Sequence, residues 1–456
     1  MLSAFLVIHF WIVGYAAVSF LHTQRDLIRN FLIAPAVGVA VTLYSIYFLS
    51  RLGLPVGEFS WPLTLGLLVC AAGLIAWRRP RLAGWRAAPF VGIAILALLT
   101  SGWPLSTNGF AWLADSNPDF TFYVMNAHRL LSGGYFELPD LERWTSQSDW
   151  TGYFAAYPAA GIRSGSDLLL AWTISLSRRN GLEIYMPLTV AFHVALVGIV
   201  PALIATPYRR ARILTGFVAA TSAMLSLGVT LQLIAQILGL LFTSLACVLC
   251  LWPFYRTGHK ALIRFIALVS LVMATFILAY PEMLPFFGIP FLIYHTLGVR
   301  EGMRFWRKAV LSCAVIGLLS FALPMLDVWG LLSFLFSQFE TAGAQNRLPE
   351  LFPYFLIPSG LAGLWGLSHY VPVENALLVI TVFLAAAMTV FTASSALWLA
   401  WQREPAAIVL VVMGVVASSL FAQSSGFGML KLAMYSQPFL LATFVSSMAR
   451  LSRVRR

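Results

Sequence analysis

The chain has 456 residues, of which 60% are hydrophobic and 10% are charged, whereas charged residues make up about 25% of an ordinary soluble domain. A net charge of +12 raises the question of a nucleic-acid ligand, but the lysines and arginines lie in short clusters between apolar runs. Composition and pattern therefore exclude an ordinary soluble domain, argue against nucleic acid as a partner, and predict an integral membrane protein.

The apolar runs have the length needed to cross a bilayer. A hydrocarbon core about 30 Å thick requires roughly 20 apolar residues in a helix. We predict an all-α polytopic membrane protein with about 13 transmembrane helices. The predicted spans are 2–20, 31–49, 61–77, 88–104, 183–206, 211–227, 231–252, 262–280, 283–298, 309–325, 375–400, 406–421 and 429–449. The first run lacks a preceding basic segment and is followed by further spans, so we interpret it as a helix rather than a signal peptide.

The distribution of basic residues predicts the orientation, because lysine and arginine in short loops are retained on the cytoplasmic side. If the predicted spans hold, the basic clusters all fall on one side, at 78–86, 209–212, 256–264, 300–308 and 450–456. This places the N-terminus outside and the C-terminus in the cytoplasm. For a bacterial protein the expected location is the inner (plasma) membrane.

One apolar segment does not fit this alternation. Residues 167–176 (DLLLAWTISL) are followed by Arg178 and Arg179, as if the chain had crossed inward. Counting the segment as a span would move every later basic cluster to the outer side of the membrane. The segment is also shorter than a usual span, so we predict a helix that lies on, or dips into, the outer interface. A missed or extra span among the first four helices is the alternative.

The predicted spans divide the chain into four parts. Residues 1–87 form an N-terminal three-helix membrane element, and residues 88–325 form the membrane core with an outer loop at 105–182. Residues 326–374 form a second outer loop or module, and residues 375–456 contain three C-terminal transmembrane helices.

The hydrophilic loop from Ser106 to Asp167 has a composition opposite to that of the whole chain, with acidic residues outnumbering basic ones. The acids are Asp115, Asp119, Glu137, Asp140, Glu142, Asp149 and Asp167, and the bases are Arg129, Arg143 and Arg163. A helix is predicted with Asn117 or Asp119 near its start and the pair Gly133 and Gly134 at its end, with apolar residues at helical spacing. Asp119 would then lie at the positive end of a juxtamembrane helix, at the mouth of a cavity. The alternative is that Asp119 only caps this helix and that Asp115 is solvated.

Several motifs in this region carry a family resemblance. Asp119, Tyr123, Ala127 and Leu131 are spaced by four and are followed by Gly133, Gly134 and Tyr135. Further on come Tyr157 and Pro158, the apolar run 167–176, and a span that begins near Tyr185 and ends at Tyr208, Arg209 and Arg210. This order, over about 103–212, resembles the GT-C glycosyltransferases, which use polyprenyl-phosphate-linked sugars as donors. Two positions depart from the family pattern: Phe120 stands where the family has a second acid, and Ala159 stands where it has a second proline. In addition, three predicted spans precede the helix that corresponds to the family's first.

The resemblance implies a membrane glycosyltransferase acting outside the cytoplasm on a glycan, lipid or protein acceptor, as in assembly of a cell-envelope polysaccharide. It implies Asp119 as the catalytic base, with Asp115 second, because a hydroxyl nucleophile needs a carboxylate within hydrogen-bonding reach. Glu282, in the sequence AYPEMLPF, is a further candidate acid, with a surface-cap role as the alternative. A long polyprenyl tail requires an apolar groove between helices.

The departing phosphate of the donor requires neutralisation by cations or a metal ion. Candidate substrate contacts are Tyr123, Tyr157, Arg163, Arg347 and Lys431, although a lone basic residue near a span end can also extend toward lipid headgroups. No P-loop, dinucleotide-binding glycine motif or paired Cys–His signature occurs. The sequence leaves open whether the protein requires a divalent metal ion. The expected partners are membrane lipid and the donor substrate, a sugar linked to a lipid phosphate.

Two other classes of function stay open. One is a lipid or polysaccharide flippase or secondary transporter, in which ionisable residues line a path near the bilayer midplane. The gathering of acids toward one outer face favours surface chemistry instead. The other is a noncatalytic membrane assembly factor, because architecture does not establish activity.

Overall fold

The structure is a computed structural model that describes residues 1–21, 26–81, 83–109, 119–137, 163–204, 208–251, 258–298, 302–325, 328–345, 353–367 and 376–454. Within these residues the regular secondary structure is helical, and no strand occurs. The helices are α1 (Leu2–Leu21), α2 (Leu27–Arg51), α3 (Val56–Arg78), α4 (Ala88–Asn108), α5 (Asp119–Ser132), α6 (Gly165–Ser177), α7 (Gly181–Ile199), α8 (Arg209–Thr221), α9 (Ala223–Thr230), α10 (Ile234–Cys250), α11 (His259–Ala279), α12 (Leu284–Leu297), α13 (Met303–Ala322), α14 (Val328–Gln345), α15 (Ser359–Leu364), α16 (Ala376–Trp401), α17 (Pro405–Ala422) and α18 (Gly426–Val454).

Eight helices within the described residues are long and apolar enough to cross a membrane. They are α1, α2, α3, α4, α7 with its extension to Leu203, α11, α16 and α17. Helices α8 and α9 make a ninth candidate if they are counted as one span bent by 43°. The other predicted spans also coincide with helices, namely α10, α12, α13 and α18. The part of the chain that the structure describes is therefore all-helical with several candidate spans, and the total of about 13 stays a prediction.

The segment between α8 and α10 is broken twice. At Ser222 the backbone is extended, and the Ser222 side chain accepts a hydrogen bond from the Leu225 amide, which caps the start of α9. After α9, Gln232 adopts a left-handed backbone with φ of 57°, so the chain cannot continue as one straight helix into α10.

The interior is built around helices that are apolar on every side. Residues of α7 and of α10 are buried around almost their whole circumference, which is expected for a helix that contacts protein on all faces. Helices α3 and α16 instead bury only a few of their residues, as expected for helices at a lipid-facing perimeter.

Helix α6, the segment predicted to lie at the interface, is enclosed by protein. Its residues are buried without interruption from Gly165 to Ile174, and it contacts α2, α3, α5 and α7. The physical reason is that the run 168–172 is apolar on all sides and has no polar face to offer to water or headgroups. Arg178, with φ of 53°, ends the helix in a left-handed conformation.

Helices α1 and α2 cross at a contact that admits no side chain. A Cβ atom added at Gly14 would lie 1.8 Å from the carbonyl oxygen of Ala34, and one added at Gly38 would lie 1.8 Å from that of Phe10. Small residues allow such close backbone approach between membrane helices. These two glycines therefore fix how the N-terminal helices dock.

We predict that Gly38→Ala lowers the unfolding free energy by about 3 kcal/mol, because the added methyl group forces the two backbones apart. Thermal unfolding of the detergent-solubilised protein, followed by intrinsic fluorescence, checks this. Gly73→Ala on α3 is the control, because a Cβ there meets no atom within 4 Å. Equal unfolding temperatures for both variants would contradict the tight crossing.

Candidate functional site

Helix α5 places Asp119 at its first residue. The side of α5 that faces the protein carries residues three and four positions apart: Val124, Asn126, Ala127, Arg129 and Leu130. This side packs against α6 and α3. Asp119 thus lies at the N-terminal end of a helix that is held against the protein, where the partial positive charge of the helix end favours a carboxylate.

Arg163 connects three parts of the chain at this end of the bundle. Its Nη1 atom lies 3.2 Å from Glu282 Oε1, and its Nη2 atom donates to the Tyr123 hydroxyl at 3.0 Å. The guanidinium carbon also lies 4.9 Å from the centre of the Tyr280 ring. One cation therefore joins α5, the segment before α6 and the turn Pro281–Met283.

The Arg163 pair is largely removed from solvent. The side chain of Arg163 is 22% exposed and that of Glu282 is 15% exposed. Burial alone would lower the pKa of Arg163, but Tyr123, Glu282 and Tyr280 raise it, and the pKa lies well above its ordinary value. The guanidinium is consequently a permanent charge.

Tyrosine side chains surround this ion pair. The Tyr280 and Tyr435 hydroxyl oxygens lie 3.3 Å apart, and the rings of Tyr123 and Tyr185 lie 6.3 Å apart between centroids. Tyr185 donates to the Gln232 carbonyl oxygen at 2.7 Å, so the turn before α10 contacts the tyrosines around the ion pair. Burial raises the pKa of Tyr123 above its ordinary value, which keeps its hydroxyl neutral and able to donate or accept.

Lys431 lies on α18, and its ammonium nitrogen is 4.3 Å from the centre of the Phe427 ring. Lys431 interacts electrostatically with Asp119 and Glu282, which attract it, and with Arg163, which repels it. Lys431 therefore lies within electrostatic range of the other three charged groups. We call Asp119, Tyr123, Arg163, Glu282 and Lys431 the polar cluster.

All members of the polar cluster were named from the sequence as candidate catalytic or substrate-binding residues, and the structure brings them together from four separate chain segments. The other candidates, Asp115, Tyr157 and Arg347, lie outside the described residues. Because the cluster combines carboxylates with cations, it can accept a proton and also bind an anion.

Two polar atoms of the cluster are buried without a partner among the described residues. They are Glu282 Oε2 and Arg163 Nε. Buried polar groups are usually hydrogen-bonded, and each exception calls for an explanation. A polar ligand bound at this position would donate a hydrogen bond to Glu282 Oε2 and accept one from Arg163 Nε.

Asp167 forms a second acidic position beside the cluster. Its Oδ2 atom accepts a hydrogen bond from Asn126 at 2.6 Å, and its Oδ1 atom accepts one from Ser166 at 3.3 Å. Only 5% of the residue is exposed. Burial, opposed by these hydrogen bonds, raises the pKa of Asp167 to about 7.

A large apolar cavity lies on the opposite side of α18 from the polar cluster. It has a volume of about 740 Å³ and lies between α16, α17, α18 and the segments 355–358 and 360–364. Leu432, Ser436 and Leu440 line it from α18, whereas Lys431 and Tyr435 on the same helix contact the cluster region. Leu397 and Val415, at 64% and 68% exposure, lie at its perimeter, so the cavity borders the lipid-facing surface.

Some residues of the site were not singled out from the sequence. Tyr280 and Tyr435 come from distant segments, and no local pattern pairs them. Two weak signals were available: Tyr280 directly precedes Pro281 and Glu282, and Tyr435 follows Lys431 by one helical turn. Asp167 was counted among the loop acids, but its partner Asn126 is visible only after α5 and α6 are packed.

The described residues contain no group of three or more His, Cys, Asp or Glu side chains able to hold a metal ion. Cys247 and Cys250 are buried in α10 as free thiols. Comparison with known protein families, with curated proteins and with solved structures found no match.

We predict that Arg163→Met lowers the unfolding free energy by about 3 kcal/mol, because it leaves the Glu282 carboxylate buried without its partner. The double variant with Glu282→Gln should recover part of the loss. Thermal unfolding in detergent measures both. Arg179→Met is the control, because its ion pair with Glu183 is exposed and such pairs contribute about 1 kcal/mol or less. An Arg163 effect no larger than the control would show that the bridge is dispensable.

We predict that Asp167 makes the protein less stable as the pH rises from about 4 to about 7. In this window the carboxyl of the folded protein keeps its proton, whereas that of the unfolded protein, with an ordinary pKa of 3.8, has lost it. Folding therefore takes up a proton, and the free energy of unfolding falls as the pH rises. Unfolding temperatures across this range should decline less in Asp167→Asn than in the unmodified protein. A Glu183→Gln variant is the control, and equal slopes for all three proteins would contradict the raised pKa.

Proposed function

We propose that the protein is a membrane glycosyltransferase of the GT-C type, located in a bacterial inner membrane. It transfers a sugar from a polyprenyl-phosphate-linked donor to a glycan, lipid or protein acceptor outside the cytoplasm. The observation that supports this most directly is the position of α18 between the polar cluster and the apolar cavity of about 740 Å³. A lipid-linked donor has the same two parts, a charged phosphate and a long hydrocarbon chain.

In this proposal the cations bind the donor phosphate. Arg163 and Lys431 supply positive charge from two different segments, and Arg163 Nε is buried without a partner among the described residues. Guanidinium groups form strong, directional hydrogen bonds to phosphate oxygens. As the sugar leaves, negative charge grows on the phosphate, and preorganised cations stabilise that change.

Asp119 acts as the general base. It accepts the proton of the acceptor hydroxyl, and the hydroxyl oxygen forms a bond to the anomeric carbon of the sugar. The bond between that carbon and the phosphate oxygen breaks, and its electron pair stays on the phosphate. Glu282, held by Arg163 at 3.2 Å, keeps Oε2 free to accept a hydrogen bond from a sugar hydroxyl.

We predict that Asp119→Asn lowers the rate of sugar transfer by about 10²-fold or more, which is the usual contribution of a general base. The assay uses the full-length protein in liposomes with polyprenyl-phosphate sugars and measures product formation. Glu183→Gln, an exposed acid distant in sequence from the cluster, is the control and should keep full activity. Full transfer by the Asn variant would remove Asp119 from this role.

A transporter of lipid-linked sugars is the second candidate, and one observation favours it. Helices α8 and α9 are bent by 43°, and the chain breaks again at Gln232 before α10. Discontinuous helices of this kind often form substrate sites in transporters. Movement of a labelled lipid-linked sugar across liposomes, without sugar transfer to any acceptor, would favour this function over the enzyme.

A further inference from the structure

A groove runs between α4 and α8 on the outside of the helix bundle. The two helices touch closely where Gly216 faces Ile93, since a Cβ at Gly216 would lie 2.9 Å from the Ile93 side chain. Beside this contact a groove of about 570 Å³ is lined by Gly92, Leu96, Leu214 and Phe217 among others. Leu214 and Phe217 are about half exposed, at 50% and 52%, so the groove is apolar and open to the surroundings of the bundle.

One end of the groove is strongly basic. Arg210 is one of the lining residues, and the neighbouring Arg209 donates to the Arg86 carbonyl oxygen at 3.4 Å. All three arginines are exposed. The sequence contains no acid at 77–92 or at 208–217, so no carboxylate from these segments neutralises them.

This end of the groove also carries an aromatic residue. Trp85, next to Arg86, is 92% exposed, and tryptophan is enriched where membrane helices meet the headgroup region. The arrangement is therefore an apolar groove that leads to a basic, aromatic rim. The polar cluster lies elsewhere, on α5, α18 and the segments that precede α6 and α12.

We propose that this groove binds an anionic phospholipid. One acyl chain lies between α4 and α8, and the headgroup phosphate contacts Arg86, Arg209 and Arg210. Basic pockets between membrane helices bind anionic headgroups, and three exposed arginines in segments without acids favour an anionic lipid over a zwitterionic one with the same chains. The apolar groove requires a ligand that has a hydrocarbon chain as well as a phosphate. This site is independent of the proposed glycosyltransferase activity.

Two variants separate the contribution of charge from that of shape. Arg210→Gln removes one cation at the rim. Gly92→Leu fills the groove and leaves every charge in place, and it should fold because a Cβ at Gly92 meets no atom within 4 Å. The matched controls are Arg178→Gln, an exposed arginine at the start of a different connection, and Gly66→Leu, which also meets no atom within 4 Å.

The experiment measures binding of phosphatidylglycerol and of phosphatidylcholine with identical acyl chains to the purified full-length protein by native mass spectrometry. We expect phosphatidylglycerol to bind more tightly. Arg210→Gln should weaken its binding about fivefold, since one arginine near an anionic surface contributes about 1 kcal/mol. Gly92→Leu should weaken the binding of both lipids, and the two control variants should bind as the unmodified protein does.

Three results would overturn the proposal. One is equal affinity for the two lipids. Another is unchanged binding in both Arg210→Gln and Gly92→Leu. The third is full displacement of phosphatidylglycerol by an equal concentration of soluble glycerol phosphate, which would mean that the acyl chain contributes nothing.

Discussion

A buried charge needs a partner, and the arrangement of the polar cluster depends on how Arg163 meets this requirement. Moving an unpaired ion out of water costs several kcal/mol or more, yet Arg163 and Glu282 are both largely buried. Each neutralises the other at 3.2 Å, and Tyr123 and Tyr280 complete the surroundings of the guanidinium. Because these residues come from α5, from the segment before α6 and from the turn after α11, the ion pair fixes three chain segments with respect to one another.

Helix α18 connects this pair to the apolar part of the protein. Residues one helical turn apart lie on the same face, so Lys431 and Tyr435 are directed to the cluster, while Leu432 and Ser436 line the cavity. A single helix thus separates a charged compartment from a hydrocarbon-like one. This separation suits a ligand that has a charged head and a long apolar tail, and it underlies the proposed use of a lipid-phosphate donor.

Part of this organisation could be predicted from the sequence. The apolar runs gave the positions of the helices, because spanning length and apolar composition are local properties of a segment. Local signals also predicted a start of α5 near Asn117 or Asp119 and an end near Gly133, and the helix runs from Asp119 to Ser132. Arg163, Glu282 and Lys431 were candidates because charges that flank apolar runs are conspicuous.

The remaining features depend on packing between distant segments. The apolar run at 167–176 was predicted at an interface, whereas α6 is buried and contacts six other helices. Nothing in its sequence specifies these neighbours. The contact between the Tyr280 and Tyr435 hydroxyls and the raised pKa of Asp167 arise only after folding. The break at Ser222 was not predicted, because it interrupts the apolar run 211–227, and the turn between the predicted spans 211–227 and 231–252 lies a few residues later than expected, between Thr230 and Ile234.

The proposed use of a lipid-phosphate donor is tested most directly by mapping where a lipid phosphate binds. A polyprenyl phosphate with a photoreactive group in its tail would be crosslinked to the full-length protein in liposomes, and the labelled peptides would be identified by mass spectrometry. We expect labels on Leu432, Ser436 or Leu440, which line the cavity, and loss of those labels when Lys431 is replaced by Gln. Labels confined to other helices, or an unchanged pattern in Lys431→Gln, would contradict this proposal.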